Sequence, residues 1–328
     1  SGSLPKVTLS NGVSFDCPPE LSILDSAKKH GITLEYSCDN GRCGVCVAPI
    51  LDGETLVLQY EEALAGELAG DVILTCCRTP ITDITLAIED LSHLGSLKAV
   101  TLPCRIDDLT LLARDVLELT LRLPPAADFQ YYPGQYINLI AKDGIRRSYS
   151  IANAVRKNKE VTLQIKFVND GVMSDYLFNQ AAVNDLLRFE GPLGTFSFRG
   201  NGSKNLIFMA TGTGIAPVKA ILESLDSQNI KGSNVYVIWG GRYLKDLYWD
   251  PSQLALPHRY VPVLSQEQDW QGFKGHVQNA LMSLELDLAA STVYACGSEL
   301  MIKESMQLLA DNGLPKNQFY SDAFVTSN

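Results

Sequence analysis

Three cysteines stand close together in one short segment of the sequence, at Cys38, Cys43 and Cys46. Thiolates with this C-x4-C-x2-C spacing can hold an iron–sulfur cluster when a fourth cysteine joins them. Gly41 and Gly44 lie between them, and glycine lets the backbone approach so closely that its N–H groups reach the negative sulfides. Zinc is the alternative metal, but it usually takes paired C-x2-C motifs or cysteine with histidine. Because the four histidines are scattered, the segment predicts a [2Fe–2S] cluster.

The fourth ligand has to come from a distant part of the chain. The stretch ILTCC supplies two candidates, Cys76 and Cys77, both well beyond Cys46. Clustered cysteines in a cytosolic protein are more often metal or redox ligands than disulfides. The spacing alone leaves both cysteines open as the fourth ligand, and the other one is then a packed thiol.

A glycine-rich turn lies in the stretch MATGTGIAPVKA. An apolar strand pattern precedes Gly212, Thr213 and Gly214, and a helical pattern with Pro217 in its first turn follows. Such a turn lets a pyrophosphate approach the N–H groups at a helix N-terminus. The third glycine of G-x-G-x-x-G is absent, and the next strand, NVYVIWG, leads to Arg242 instead of an acidic ribose ligand. We therefore expect a dinucleotide site unlike that of an ordinary dehydrogenase.

The hydrophobic patterns divide the chain of 328 residues into three regions. Residues 1–92 combine a hairpin, a short helix and further strands in a compact α+β unit, and residues 93–101 are predicted to be a linker. Short alternating strands over 102–202, interrupted by one helix, predict an antiparallel β-barrel. Over 203–328, continuous apolar strands alternate with helices, which predicts an α/β doubly wound parallel sheet. The glycine turn follows the first strand of this last region.

The negative charge of the protein is concentrated in the first region. Residues 1–90 carry 14 Asp/Glu against 5 Lys/Arg, and the net charge of the whole chain is −10. This argues against a nucleic-acid partner, which needs a basic surface. The acidic face could attract a basic protein partner, or it simply keeps the protein soluble. With no apolar run of ~18 residues and no signal-peptide pattern, we expect a cytoplasmic protein without a membrane span.

The first region resembles a plant-type ferredoxin domain in its cysteine loop and in ILTCC. In that family the fourth cysteine directly follows Leu-Thr, so the resemblance implies Cys76 as the remaining ligand. The complete set implied for the [2Fe–2S] cluster is Cys38, Cys43, Cys46 and Cys76.

The segment RRSYS, with Arg147, Tyr149 and Ser150, resembles the Arg-x-Tyr-Ser motif of the ferredoxin–NADP reductase superfamily. The resemblance implies an FAD-binding barrel. An arginine fork can bind the FAD pyrophosphate with two parallel hydrogen bonds, and alternation along a strand makes Arg147 and Tyr149 point together. It also implies that the tyrosine ring stacks on the isoalloxazine and that Ser150 hydrogen-bonds flavin N5, the atom that accepts hydride. On its own, RxYS equally fits an ordinary exposed strand.

Two further motifs match the same superfamily, and GTGIAP matches its version of the glycine turn. DGVMS precedes the predicted barrel helix, and the resemblance implies that Gly171 and Ser174 contact phosphate at the helix N-terminus. YACGS contains Cys296, Gly297 and Ser298. The resemblance implies that they lie beside the nicotinamide of an NAD(P)-binding domain, with Cys296 positioning the C4 atom for hydride transfer. The alternative is that Cys296 is a small buried residue at a strand end.

Two more residues have roles implied only by the resemblance. In relatives a C-terminal aromatic often covers the flavin face that the nicotinamide must reach, which implies this role for Phe324. Simple packing of a terminal strand is the alternative. Arg242 lies where a 2′-phosphate could be recognised, although many relatives with an arginine there use NADH. We expect NADH as the electron donor, with NADPH as the alternative.

The order of the three regions implies an electron path from NAD(P)H to FAD, to the [2Fe–2S] cluster and to a protein partner. Motifs along the whole chain, including ILTCC, RRSYSIANA, VYACGS and SDAFV, resemble the reductases of 3,6-dideoxyhexose biosynthesis. Their partner is a dehydrase that depends on pyridoxamine phosphate (PMP). WQGFKGHV resembles instead the reductase components of ring-hydroxylating and diiron oxygenases. A reductase for free acceptors and a non-catalytic carrier are the remaining alternatives.

Overall fold

The structure is a computed structural model and describes residues 2–35, 46–58, 71–95, 97–200 and 202–324. The chain divides into two compact units, Ser1–Leu97 and Lys98–Asn328. The predicted cluster ligands Cys38 and Cys43 lie outside the described residues. Within the described ranges, no helix is both long and apolar enough to cross a bilayer.

Short strands and two helices make up the described part of the N-terminal unit: β1 (Lys6–Thr8), β2 (Ser14–Asp16), α1 (Ile23–Lys29), β3 (Val47–Asp52), β4 (Thr55–Val57), β5 (Val72–Leu74), β6 (Arg78–Pro80), β7 (Ile84–Leu86) and α2 (Ser92–Gly95). Five strands form a sheet in the order β2-β1-β7-β3-β5, and β4 pairs with β6. Ser22 caps α1 by accepting a hydrogen bond from Asp25 N at 3.0 Å. Gly31, with a φ of 72°, follows the helix end. The predicted α+β architecture is confirmed.

The C-terminal unit begins with the six strands of a barrel and one helix: β8 (Val100–Ala113), β9 (Val116–Arg122), β10 (Tyr136–Ile140), β11 (Arg146–Ser150), β12 (Val161–Lys166), α3 (Val172–Asn179) and β13 (Leu186–Leu193). The strands pair antiparallel in the order β11-β10-β13-β8-β9-β12. A bridge between Ile151 and Leu163 joins the two edges, and Ala152 N donates to Thr162 O at 2.8 Å. The predicted antiparallel barrel is confirmed, and inward-facing residues such as Leu119, Leu139 and Phe189 fill it.

The second half of this unit is a parallel sheet covered by helices: β14 (Asn205–Thr211), α4 (Ile215–Ser224), α5 (Ser227–Ile230), β15 (Asn234–Gly241), β16 (Arg259–Leu264), β17 (Phe273–Lys274), α6 (Val277–Ser283), β18 (Ser291–Ser298), α7 (Glu299–Asp311) and β19 (Phe319–Phe324). The order β17-β16-β15-β14-β18-β19, with parallel pairs throughout, confirms the predicted doubly wound sheet. Its central strands are apolar along almost their whole length because helices cover both faces.

Candidate functional site

The carboxyl ends of β14 and β18 meet where the strand order of the parallel sheet reverses, and ligands of such sheets bind in the crevice at this point. Gly214, in the turn after β14, lies so near β18 that a Cβ on it would clash with the carbonyl oxygen of Cys296. A Cβ on Gly297 would clash in turn with Thr211 Oγ1. The structure therefore brings the two predicted nucleotide motifs together, and their glycines are needed because two backbones touch.

The glycine turn itself is held from the neighbouring strand. Gly212 has a φ of 54°, a conformation that favours glycine, and its carbonyl oxygen accepts a hydrogen bond from Trp239 Nε1 at 3.0 Å. Thr213 is half-buried and Pro217 is buried in α4. No side chain caps the N-terminus of α4, so the turn fits the pyrophosphate of a dinucleotide. Sequence analysis missed Trp239, whose only signal was a large aromatic residue near the end of NVYVIWG.

Cys296 is fully buried in β18, opposite Asp322 of β19. Burial raises the pKa of the Cys296 thiol well above its ordinary value, and the negative charge of Asp322 adds to this effect. The thiol is therefore neutral near pH 7, which fits a packed positioning surface better than a nucleophile. Asp322 is itself buried at 6% exposure. Sequence analysis did not single out this acid, which becomes visible only through the pairing of the two strands.

Phe324 ends β19 and is half-buried. It pairs with Ser298, so the predicted aromatic shield lies beside the predicted nicotinamide motif. Ser298 also caps α7 by accepting a hydrogen bond from Met301 N at 3.2 Å. The structure thus brings Phe324 to the nucleotide crevice.

Arg242 follows β15 and is exposed. Its carbonyl oxygen accepts a hydrogen bond from Gln266 N at 2.9 Å, which ties it to the segment after β16. Tyr243 and Lys245 are its exposed neighbours, and the Lys245 ammonium group lies 5.9 Å from the centre of the Tyr243 ring. This places a small basic and aromatic group at the carboxyl edge of the sheet, on the β15 side of the crevice.

The predicted flavin residues lie on β11 at the edge of the barrel. Arg147 is opposite Leu139 and Tyr149 is opposite Ile137, so the two side chains share one face of the strand, as expected. Burial against the barrel core raises the pKa of Tyr149 to about 12, so its ring is neutral. Ser150, on the other face, is only 8% exposed.

The N-terminus of α3 has the form of an anion site. No side chain caps this helix, and its N-cap is Gly171. A Cβ on Gly171 would crowd Val168 and the Ser174 hydroxyl at about 3 Å, so glycine lets the turn close. Ser174 Oγ accepts a hydrogen bond from Val168 N at 3.0 Å and is buried. The backbone N–H groups of this turn fit a phosphate of FAD better than the Ser174 hydroxyl does, because that hydroxyl is buried and already hydrogen-bonded within the turn.

The barrel and the nucleotide half touch beside these motifs. The Gly212–Gly214 turn lies next to β12. Tyr248 OH donates to Gln164 Oε1 of that strand at 2.6 Å, and the Tyr248 ring packs edge-on against Trp239. The glycine turn therefore lies against the barrel, in the same unit as the flavin strand.

In the N-terminal unit, two predicted cluster ligands are brought together. Cys46 O accepts hydrogen bonds from Thr75 N at 2.9 Å and from Thr75 Oγ1 at 3.1 Å, which fixes Cys46 beside Cys76. Cys76 is 6% exposed, and Cys77 is fully buried with its sulfur 3.6 Å from that of Cys76. The buried thiols of Cys46 and Cys76 fit a soft iron–sulfur ligand set.

Three family models match successive parts of the chain. They are the 2Fe-2S iron-sulfur cluster binding domain at residues 7–82, the oxidoreductase FAD-binding domain at 103–198 and the oxidoreductase NAD-binding domain at 208–307. Their order is the one predicted from the sequence. The particular bounds of the three domains and of the linker stay predictions.

The chain is also similar, over almost its whole length, to known proteins. It is 39% identical to the CDP-6-deoxy-L-threo-D-glycero-4-hexulose-3-dehydrase reductase of Yersinia pestis, over 97% of both chains. It is 31% identical to reductase component 2 of the terephthalate 1,2-dioxygenase of Comamonas sp, over 96% of this chain and 95% of the relative. The solved Amycolatopsis cytochrome P450 reductase GcoB is 26% identical, with a TM-score of 0.69 and 98% of each chain covered.

The chain therefore belongs to the family of NAD(P)H-dependent iron–sulfur flavoprotein reductases. It is an oxidoreductase in which electrons pass from NAD(P)H to FAD and on to a [2Fe–2S] cluster, as predicted. The predicted resemblance to reductases of the 3,6-dideoxyhexose pathway is likewise confirmed. The roles of the individual site residues stay predictions.

Proposed function

We propose that the protein delivers electrons to a PMP-dependent sugar dehydrase of 3,6-dideoxyhexose biosynthesis, the role of a CDP-6-deoxy-Δ3,4-glucoseen reductase. The observation that carries this proposal is the 39% identity to a dehydrase reductase along 97% of both chains, against 31% for the terephthalate dioxygenase reductase component. A cytoplasmic location is part of the proposal, because NAD(P)H and reduced thiols are maintained in that compartment.

The residues proposed for this function form three sites. Cys38, Cys43, Cys46 and Cys76 would hold the cluster; Arg147, Tyr149, Ser150, Gly171 and Ser174 would hold FAD; Gly212, Thr213, Gly214, Pro217, Arg242, Cys296, Gly297 and Ser298 would hold NAD(P)H. When bound, FAD links the two-electron chemistry of NAD(P)H to the one-electron chemistry of the cluster. The protein contributes binding, orientation and the exclusion of water.

Each proposed catalytic residue has a task that its position supports. Ser150, nearly buried at the end of β11, would donate a hydrogen bond toward the flavin. Cys296 would present a neutral thiol against the nicotinamide, because burial keeps its pKa high. Phe324, beside Ser298, would cover the reacting face and keep water away from it.

We further propose NADH as the physiological donor. Arg242 is exposed at the carboxyl edge of the sheet, but the segment that faces it contributes Glu267, whose carboxylate accepts a hydrogen bond from Leu244 N at 3.2 Å. Asp246 adds a second carboxylate next to Tyr243 N, at 3.0 Å. These two negative charges offset the positive charges of Arg242 and Lys245, so this edge lacks the surplus of positive charge that favours the extra phosphate of NADPH. The ratio of kcat/KM for NADH and NADPH tests this preference, and a ratio below one would contradict it.

A second candidate function is that of an oxygenase reductase component. The 31% identity to the terephthalate dioxygenase component and the stretch WQGFKGHV favour it. The experiment that separates the two is reconstitution with purified partners under NADH: a PMP-dependent hexulose dehydrase with its CDP-sugar substrate, and a ring-hydroxylating oxygenase with an aromatic substrate. Formation of the 3-deoxy sugar with only the first partner is the expected result. Turnover with the oxygenase alone would overturn the proposal.

A further inference from the structure

A lysine is buried in the middle of a mostly apolar helix. The sequence of α4 is IAPVKAILES, and Lys219 in it is only 9% exposed. A buried ammonium group is unfavourable unless it is both paired and hydrogen-bonded. The partners of Lys219 therefore indicate why a charge is present at this position.

The partners of Lys219 lie on two different elements. Lys219 Nζ donates to Ala152 O at 2.8 Å and forms an ion pair with Glu223 Oε2 at 3.2 Å, one helical turn further along α4. Glu223 Oε1 in turn accepts a hydrogen bond from Ala154 N at 3.2 Å. The two side chains thus bridge the nucleotide helix to the backbone that follows the flavin strand β11.

The barrel end of this bridge is held rigidly. Asn153, fully buried between the two bridged alanines, accepts hydrogen bonds from Thr162 N at 2.7 Å and from Thr162 Oγ1 at 2.9 Å. Its Nδ2 donates to Glu160 O at 3.0 Å, and Tyr131 OH donates to Asn153 O at 2.7 Å. This segment cannot shift without breaking several buried hydrogen bonds.

Both ends of the bridge lie close to proposed cofactor contacts. Lys219 is five residues beyond Gly214, which is about 7.5 Å along a helix. Ala152 is two residues beyond Ser150, which is about 7 Å along an extended chain. The bridge therefore joins the nucleotide turn and the flavin strand over a short, stiff path.

We propose that Lys219 is a positioning residue for hydride transfer, and that with Glu223 it fixes the nucleotide turn relative to the flavin strand. The rate of this reaction depends steeply on the distance and angle between the reacting atoms. The inference rests on the roles proposed above for Gly214 and Ser150. It does not depend on which protein finally receives the electrons, because hydride transfer ends at the flavin.

The test compares Lys219→Met with Lys204→Met, a control at an exposed position of the same half. Methionine keeps the apolar length of the side chain and removes its charge and hydrogen bonds. Both FAD-loaded proteins are mixed anaerobically with NADH, and flavin reduction is followed by stopped flow. For Lys219→Met we expect hydride transfer at saturating NADH to slow roughly tenfold with a nearly unchanged KM, and Lys204→Met to behave as the parent protein.

A second readout needs no turnover. Tetrahydro-NADH, which binds but cannot transfer hydride, should perturb the flavin absorbance of the parent protein by contact with the flavin. In Lys219→Met we expect the same Kd with a smaller spectral change, because the analogue is bound but poorly placed. Lys219→Arg, which keeps the cation, should recover part of the change. If the parent protein itself shows no perturbation, the proposed nicotinamide site is wrong, which is a different failure from that of Lys219.

Several results would overturn the proposal. One is an unchanged rate of flavin reduction and an unchanged spectral change in Lys219→Met. Another is a higher KM with the parent rate at saturation, since Lys219 would then act in binding. If Lys219→Met fails to fold, Glu223→Leu decides, because Glu223 is 30% exposed and its loss is better tolerated. We expect flavin reduction at saturating NADH to be slower in Glu223→Leu as well. If this variant reduces its flavin as fast as the parent protein, the bridge has only a structural role.

Discussion

The flavin strand and the glycine turn offer two different kinds of proposed cofactor contact. On β11, the proposed contacts are side chains of one strand, Arg147, Tyr149 and Ser150. At the crevice of the parallel sheet, the proposed contacts are backbones from two distant segments, which touch only because Gly214 and Gly297 have no Cβ. Side-chain sites should therefore lose one interaction when one residue changes, whereas the backbone site should lose its structure.

The cluster is the extreme case of a side-chain site. Cys76→Ser should abolish the visible absorption of the cluster and the reduction of cytochrome c, because a hydroxyl does not replace a thiolate ligand to iron. The reduction of small dyes by the flavin should persist, since the cluster lies in a different unit from the flavin and nucleotide motifs. Absorption spectra and the two steady-state assays measure these effects.

Cys77→Ser is the matched control for the cluster prediction. Cys77 is adjacent and also buried, so its substitution shows the effect of replacing a buried thiol without removing the proposed ligand. We expect the cluster to be retained in this variant. Loss of the cluster in Cys77→Ser but not in Cys76→Ser would reverse the assignment.

The backbone site should respond next most strongly. Gly214→Ala should destabilise the C-terminal unit by about 3 kcal/mol or more, because the new Cβ clashes with the carbonyl oxygen of Cys296 and neither backbone can yield. Both the thermal midpoint and NADH binding should fall together. Gly232→Ala, at an open turn with a φ of 82°, is the control and should cost only about 1–2 kcal/mol. If the two variants lost the same stability, the close approach of Gly214 to Cys296 would not be the reason for the glycine.

The flavin strand should show the milder, separable effect of a side-chain site. Arg147→Ala should weaken FAD retention by about 10- to 100-fold, the equivalent of one or two hydrogen bonds from a charged group. The melting temperature of the FAD-free protein should change little, because Arg147 is not part of the barrel core. Equilibrium dialysis of FAD measures the affinity. An unchanged affinity would remove Arg147 from the site.

Surface charge should have the smallest effect. Residues 1–90 hold 14 acidic and 5 basic side chains, whereas residues 91–328 hold 23 and 22. Reversing the exposed Glu20 and Asp52 to lysine should slow reduction of a basic partner a few-fold at low salt, and the difference should shrink as salt rises. Asp128→Lys, exposed in the other unit, is the control. Identical rates at all salt concentrations would mean that the acidic face serves solubility alone.

Much of the fold was predictable because its signals are local. Alternation over the barrel strands and apolar runs in the parallel sheet follow directly from which faces are buried. The hairpin at Gly12 and the helix that Ser22 caps were also visible as short patterns. The residues that sequence analysis missed, Trp239, Asp322 and Lys219, lie inside the quoted stretches NVYVIWG, SDAFV and MATGTGIAPVKA, but no motif gives them a role. Their positions matter only through partners far along the chain.

The sequence by itself determined which chemistry this protein carries, because three of the four cluster cysteines, the Arg-x-Tyr-Ser strand and the glycine turn each form a recognisable motif within a few residues. Only the tertiary structure decided how those sites meet. The contact of Gly214 with Cys296, the pairing of Cys296 with Asp322 and the bridge from Lys219 to Ala152 join segments many residues apart. Such contacts depend on strand order and packing, which no short pattern in the sequence encodes.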